Sequence, residues 1–300
     1  MGGSRITVTK VIFFGTPDYV LPVLDALKKE HEIAAVVTQP PKPFGRKKEF
    51  TLSPVAQWAA GHNIPVVTDL TLLRKSVTRT DIGVLAAYGR IIPQEVIDYF
   101  PNGIINVHPS ILPKYRGASP VQAAIIAGDK ETGATLIKMD KEVDHGPVIY
   151  QLFTEPVQEN DTTGILRERL FKKSAEVLPT VLNDYLNGKI TPKEQEHDKA
   201  TFTTLIKKSD GFIPPKELAA ASQGVTLQAQ KLERFIRAMQ PWPIAWTTLQ
   251  DGRKLKILKA HIEDRKLTLD IVQLEGKNPV TWKQFKEGYP ESSFQNSVKV

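Results

Sequence analysis

Short apolar runs alternate with amphipathic segments through the first half of the chain. Val11–Phe14 (VIFF) reads as a buried strand, and the following DYVLPVLDALKK has helical spacing. Ile33–Thr38 (IAAVVT) is a second strand. In SPVAQWAAGHN, Ser53 is placed to cap a helix that starts at Pro54 and ends near Gly61. IPVV, IGVLAAY and GIINV read as further strands, with PQEVIDYF as a short helix before the last. Runs this apolar, alternating with helices, predict a parallel sheet covered on both faces, an α/β fold of Rossmann-like kind. Ligands of such sheets sit beyond the carboxyl ends of the strands.

The pattern then changes. SPVQAAIIAG predicts a helix, GATLIKM and PVIYQLF predict strands, and the stretch from Asp161 to Gly188 predicts a long amphipathic helix. KITPKEQEHDKATFTTLIKKSDG is polar and aperiodic, which reads as a linker or an extended crossing segment. Beyond it, KLERFIRAMQPWP predicts a short helix. AWTTL, LKILKAHI, KLTLDIVQL and PVTWKQF, separated by turn residues, predict a small β-barrel or sandwich. The expected organisation is an α/β domain over residues 8–190, a linker over 191–210 and a small β domain over 211–300.

Composition narrows the chemistry. The 300 residues contain no cysteine, which removes disulfides, thiolate catalysis and cysteine-held metal sites. No apolar run approaches the roughly 20 residues of a membrane helix, and MGGSRITVTK lacks the core of a secretory signal, so a cytoplasmic protein is expected. The net charge is +7. Residues 211–300 carry 14 Lys and Arg against 9 Asp and Glu, so most of the excess lies in the last third. A basic tail suits a nucleic-acid partner, and a solvated charged face is the plain alternative.

The candidate chemistry lies in NVHPSILPKYRGASP, directly after the GII run. Asn106 and His108 are two apart at a strand end and so share a face. An asparagine amide can hold a developing oxyanion, and a histidine can move a proton near neutral pH. Pro109 and Pro113 stiffen the loop, and Arg116–Gly117 would anchor or close it. Downstream, KEVDHGPVI offers Asp144 to orient His108 or carry a proton. Such a set suits direct attack by a substrate nucleophile on a bound carbonyl. Ser110 as a nucleophile lacks a G-x-S-x-G setting. A metal held by His108, Asp144 and His145 would need adjacent residues as joint ligands, so no metal is expected. A structural histidine and a turn aspartate remain the plain alternative. FFGTPDY lacks a dinucleotide fingerprint, and no phosphate-binding P-loop motif is present. The long loop Thr38–Val55 carries a basic tip, Gly45–Lys48, that could grip phosphates or simply be solvated.

Together these segments resemble the methionyl-tRNA formyltransferase family over nearly the whole chain. FFGTPDY, VVTQPPKPFGRKK, AAYGRIIPQEVID, ETGATLIKMDKEVDHGPVI and RFIRAMQPWPIAW each resemble a family segment. NVHPSILPKYRGASPVQ matches the signature loop N-x-H-x-S-x-L-P-x-[WY]-R-G-A-x-P. The basic loop departs from the usual G-R-G-K by lacking its second glycine. The resemblance implies formyl transfer from 10-formyltetrahydrofolate to the α-amine of methionyl-initiator tRNA, without a metal. It implies Asn106, His108 and Asp144 as the catalytic group. It implies Ser110, Ile111, Leu112 and Pro113, with Tyr88, Gly89, Arg90 and Ile91 as a wall, around the folate. Arg46, Lys47 and Lys48 would meet the tRNA acceptor end, with Phe14 and Thr16 near the methionyl side. The basic tail becomes an OB-like tRNA-binding domain, and a monomer is expected. The rivals are a same-fold formyltransferase acting on a small amine, a formyl-folate hydrolase, and a catalytically silent RNA-binding protein.

Overall fold

The computed structural model describes residues 9–44, 49–77, 80–224 and 226–290. In chain order the first elements are β1 (Lys10–Gly15), α1 (Leu21–Glu30), β2 (Glu32–Val37), β3 (Lys42–Phe44), β4 (Glu49–Thr51), α2 (Pro54–Gly61) and β5 (Val66–Val67). Then come α3 (Leu73–Ser76), β6 (Ile82–Ala86), α4 (Gln94–Ile97), β7 (Ile104–His108), β8 (Arg116–Gly117), α5 (Pro120–Ala127), β9 (Glu131–Lys138), β10 (Val148–Pro156) and α6 (Thr163–Leu186). The remainder comprises β11 (Phe202–Thr203), α7 (Pro215–Ser222), α8 (Thr226–Ala238), β12 (Ala245–Thr248), β13 (Lys254–Glu263), β14 (Lys266–Leu274), β15 (Val280–Thr281) and α9 (Trp282–Gly288).

A seven-stranded sheet runs in the order β10-β9-β7-β6-β1-β2-β5. From β7 through β5 its neighbours are parallel, and β9 runs antiparallel to β7. The apolar strand runs are buried on both faces. In β1, Val11 and Phe13 belong to one core with α1, α2 and α6, while Ile12 and Phe14 belong to the opposite core with α3 and α4. Strand order reverses between β1 and β6, which opens a crevice beyond their carboxyl ends.

The helix starting at Pro54 forms as its sequence predicts. The Ser53 hydroxyl accepts the Ala56 N–H at 3.0 Å. Ser53→Ala removes that cap and is expected to cost about 1 kcal/mol, read as a lower urea midpoint with an unchanged m-value.

The chain forms two compact units. The first comprises 1–118, 132–155 and 167–203; the second comprises 119–131, 156–166 and 204–300. The segment read as a linker therefore divides, with residues through Thr203 in the first unit. In the second unit β12–β15 form an antiparallel four-stranded sheet covered by α7, α8 and α9. PVTWKQF, expected as a strand, is mostly helix α9. The Thr281 hydroxyl accepts the Gln284 N–H while the Gln284 side chain accepts the Thr281 N–H, a capping box that starts a helix. The loop Thr38–Val55 contains the antiparallel pair β3–β4, which sequence patterning does not reveal.

Candidate active site

Strand alternation sets the site. Ile105 and Val107 of β7 face the core formed with α1, α2 and α6, so Asn106 and His108 face the other side together. Both are buried. The Asn106 amide donates to Asp144 Oδ1 at 2.9 Å. His108 Nε2 lies 3.0 Å from the Tyr115 carbonyl, which can only accept, so Nε2 carries a proton. His108 Nδ1 faces Asp144 Oδ2 at 3.4 Å, and the Gly117 N–H donates to the same oxygen at 2.8 Å. Asp144 thus gathers an amide, an imidazole and a backbone N–H.

Burial alone would push the Asp144 carboxyl up. The charge of His108, hydrogen bonds from His108 and Gly117, and the nearby Arg116 guanidinium outweigh it and hold the group below the usual carboxylate range. At neutral pH it is a carboxylate that orients its donors, and the charge partner that an imidazolium at His108 requires. Its backbone is left-handed, with φ of 51°, a conformation that persists in a non-glycine residue where its surroundings enforce it.

The signature loop packs back on β9. Thr135, opposite His108 in the ladder, donates its hydroxyl to the Ser110 carbonyl at 2.7 Å and accepts the Leu112 N–H at 3.1 Å. The Ser110 hydroxyl donates to the Lys114 carbonyl at 2.6 Å, which ties it into the loop's own structure.

Two regions of the chain match known formyltransferase models: "Formyl transferase" over residues 9–182 and "Formyl transferase, C-terminal domain" over residues 226–268. The chain is 39% identical to the methionyl-tRNA formyltransferase of Roseiflexus sp. (strain RS-1) over 261 residues, 84% of this chain and 77% of that one. The chain belongs to the methionyl-tRNA formyltransferase family.

Among solved structures, the methionyl-tRNA formyltransferase from Clostridium thermocellum aligns with a TM-score of 0.59 at 18% identity, covering 89% of this chain and 99% of that one. HypX from Aquifex aeolicus in complex with tetrahydrofolic acid aligns at 0.64 and 14% identity, covering 94% of this chain and 47% of that one. Both share the fold of this chain over the aligned residues.

The switch-point crevice brings a second group of expected residues together. The Thr16 hydroxyl and the Gln39 amide each donate to the Tyr88 carbonyl at 2.9 Å, and Lys42 donates to Gln39. Gly89 is left-handed with φ of 76°. Burial pushes the Tyr88 phenol up, and the adjacent Arg90 opposes it. Arg90 and Ile91 are exposed. Phe14 is fully buried and edge-on to Tyr88 and Phe100, so it is a core residue. Of the signature loop, Ser110 and Leu112 are buried, while Ile111 and Pro113 are partly exposed. Arg46, Lys47 and Lys48 lie outside the described residues. His145 pairs with Asp140 at 2.7 Å, and no group of three His, Asp or Glu side chains among the described residues is arranged to hold a metal.

Three contributors escape sequence reasoning. Tyr115 acts through its carbonyl, which no residue type encodes. Gln39 stands outside any chemical motif. Gln195 lies in the polar segment read as a linker, yet its side chain is bonded to the Asp144 turn. In that segment Gln195 is buried while its neighbours from Lys193 to Lys199 are exposed.

Proposed function

We propose that the protein transfers the formyl group of 10-formyltetrahydrofolate to the α-amine of methionyl-initiator tRNA, with Asn106, His108 and Asp144 as the reacting group. The observation that carries this is a partly buried carboxylate binding a buried amide and a buried imidazole together at the end of β7. Ile111, Pro113, Arg90 and Ile91 offer the apolar and cationic surface that a folate requires, while Ser110 and Leu112 shape the loop beneath it. The folate substrate supplies the formyl carbonyl. Asn106 uses one of its two N–H groups on Asp144, and the other has no partner among the described residues and is available to an oxyanion. His108 supplies positive charge to the developing oxyanion, and Asp144, directly or through water, relays the proton to the departing nitrogen. Asp144 holds both donors in place and balances the charge on His108. The amine gains the carbonyl carbon and loses a proton; the departing nitrogen takes one up.

Arg46, Lys47 and Lys48 are proposed to meet the acceptor end of the tRNA, with Thr16 near the methionyl side. The basic stretch 211–300 is proposed to hold the RNA backbone, and the enzyme to act as a cytoplasmic monomer. No helix among the described residues is long and apolar enough to cross a membrane.

The test is a formyl-transfer assay with 10-formyltetrahydrofolate and methionyl-initiator tRNA. The parent is expected to yield formyl-methionyl-tRNA, and Asn106→Ala to lower kcat by about 10²–10³, the usual cost of one oxyanion donor. Release of tetrahydrofolate without formylated tRNA would make water or another amine the acceptor. No folate turnover would overturn the proposal.

A further inference from the structure

The Gln195 carboxamide uses all of its hydrogen-bonding capacity beneath the active site. Its Nε2 donates to the carbonyls of Asp144 at 2.9 Å and Gly146 at 2.8 Å. Its Oε1 accepts from Arg116 Nε at 3.1 Å and from an Arg116 terminal nitrogen at 2.8 Å. Two donors and two acceptor lone pairs are the full complement of a carboxamide. Gln195 and Arg116 are both buried.

The partners on either side belong to the reacting group. Asp144 and Gly146 form the turn that carries the carboxylate. Arg116 precedes Gly117, whose N–H binds that carboxylate. Gln195 therefore ties the backbone of the Asp144 turn to the strand that donates to the Asp144 side chain. It also holds the Arg116 charge near the carboxylate. The segment bearing Gln195 is itself anchored. Lys193 exchanges two backbone hydrogen bonds with Val148, at 2.7 and 2.8 Å, and Thr201 O accepts the Arg116 N–H at 2.8 Å. A turn whose aspartate sits in the left-handed region needs such restraint to keep one conformation.

We propose that Gln195 is a positioning residue for formyl transfer: it holds the Asp144 turn and Arg116 in the one arrangement that aims the carboxylate at Asn106, His108 and Gly117. This rests on the proposed roles of Asn106, His108 and Asp144. Gln195 touches no reacting atom, so its loss should leave substrate binding intact while the chemical step slows.

The experiment uses the full chain and two substitutions. Gln195→Met keeps the length of the side chain and removes all four bonds. Gln195→Glu keeps an acceptor for Arg116 and turns lone pairs toward the two carbonyls. Each variant is assayed for formyl transfer and crystallised. Both are expected to lower kcat by about 100-fold, the cost of a small misplacement of catalytic groups, with KM for either substrate within about threefold of the parent. Both crystals should show the Asp144 turn displaced and its bond to Gly117 broken. A kcat within about threefold of the parent in either folded variant, or a raised KM with unchanged kcat, would overturn the proposal. An unmoved Asp144 turn would overturn it too. Should Gln195→Met fail to fold, Gln195→Glu decides. A parent that transfers no formyl group would instead overturn the proposed function, and the crystals alone would then judge the positioning.

Discussion

Asp144→Asn is expected to lower kcat/KM for formyl transfer by on the order of 10³ without unfolding the protein. The two oxygens of Asp144 face donors on both sides, Asn106 on one and His108 with Gly117 on the other. An asparagine must turn its own NH2 toward one of these sides, so in either orientation two donors oppose each other. The charge that balances an imidazolium at His108 disappears as well. Single-turnover rates on preformed complexes would assign the loss to the chemical step. The same variant has a signature in stability. In the folded protein Asp144 binds its proton less readily than in the unfolded chain, because His108, Gly117 and Arg116 favour the charged form over the opposing effect of burial. Ionised Asp144 therefore stabilises the fold above the ordinary carboxylate pKa, and that contribution is lost as pH falls through the lowered value. Unfolding midpoints measured from pH of about 6 down to about 3 should fall more steeply in the parent than in Asp144→Asn.

Gly117→Ala is expected to be strongly damaging to both fold and site. Gly117 has φ of 104°, outside the range that L side chains adopt readily. A Cβ there would lie 2.2 Å from the Thr203 carbonyl oxygen, a backbone atom held in the pairing of β8 with β11. The strand cannot retreat without losing the bond from Thr203 Oγ1 to the Arg116 carbonyl. A cost of about 3 kcal/mol follows from strain and overpacking together. Because the Gly117 N–H holds Asp144, the rate should fall with the stability. Urea unfolding and the transfer assay on the same preparation check both.

The parts of the fold legible in the sequence are those governed by local periodicity. Val11–Phe14 announces a strand covered on both faces, and Ser53–Pro54 announces a helix start. Asn106 and His108 announce their shared face through their spacing alone. Elsewhere local signals compete. At Val280–Phe285 the alternation of apolar residues suggests a strand, but the Thr281–Gln284 capping box prevails. Strand β4 is short and exposed along its whole length and so carries no burial pattern. Gln195 illustrates a further limit. Its partners lie 51 and 79 positions earlier in the chain, and a glutamine in a polar stretch carries no mark of them.

Helix α5 belongs to the second unit, although it is built from residues that directly follow the signature loop. Its residues Val121, Ala124 and Ile125 are buried, the helix contacts α8, and Arg234 of α8 reaches the Ile126 carbonyl at 3.2 Å. During synthesis α5 leaves the ribosome about 100 residues ahead of α8, a wait of roughly 5–20 s at ordinary elongation rates. For that interval an apolar helix stands without its cover, in the middle of a half-made enzyme. The second unit cannot finish folding until the last part of the chain emerges. A chain that stops early is thus a natural client for a chaperone.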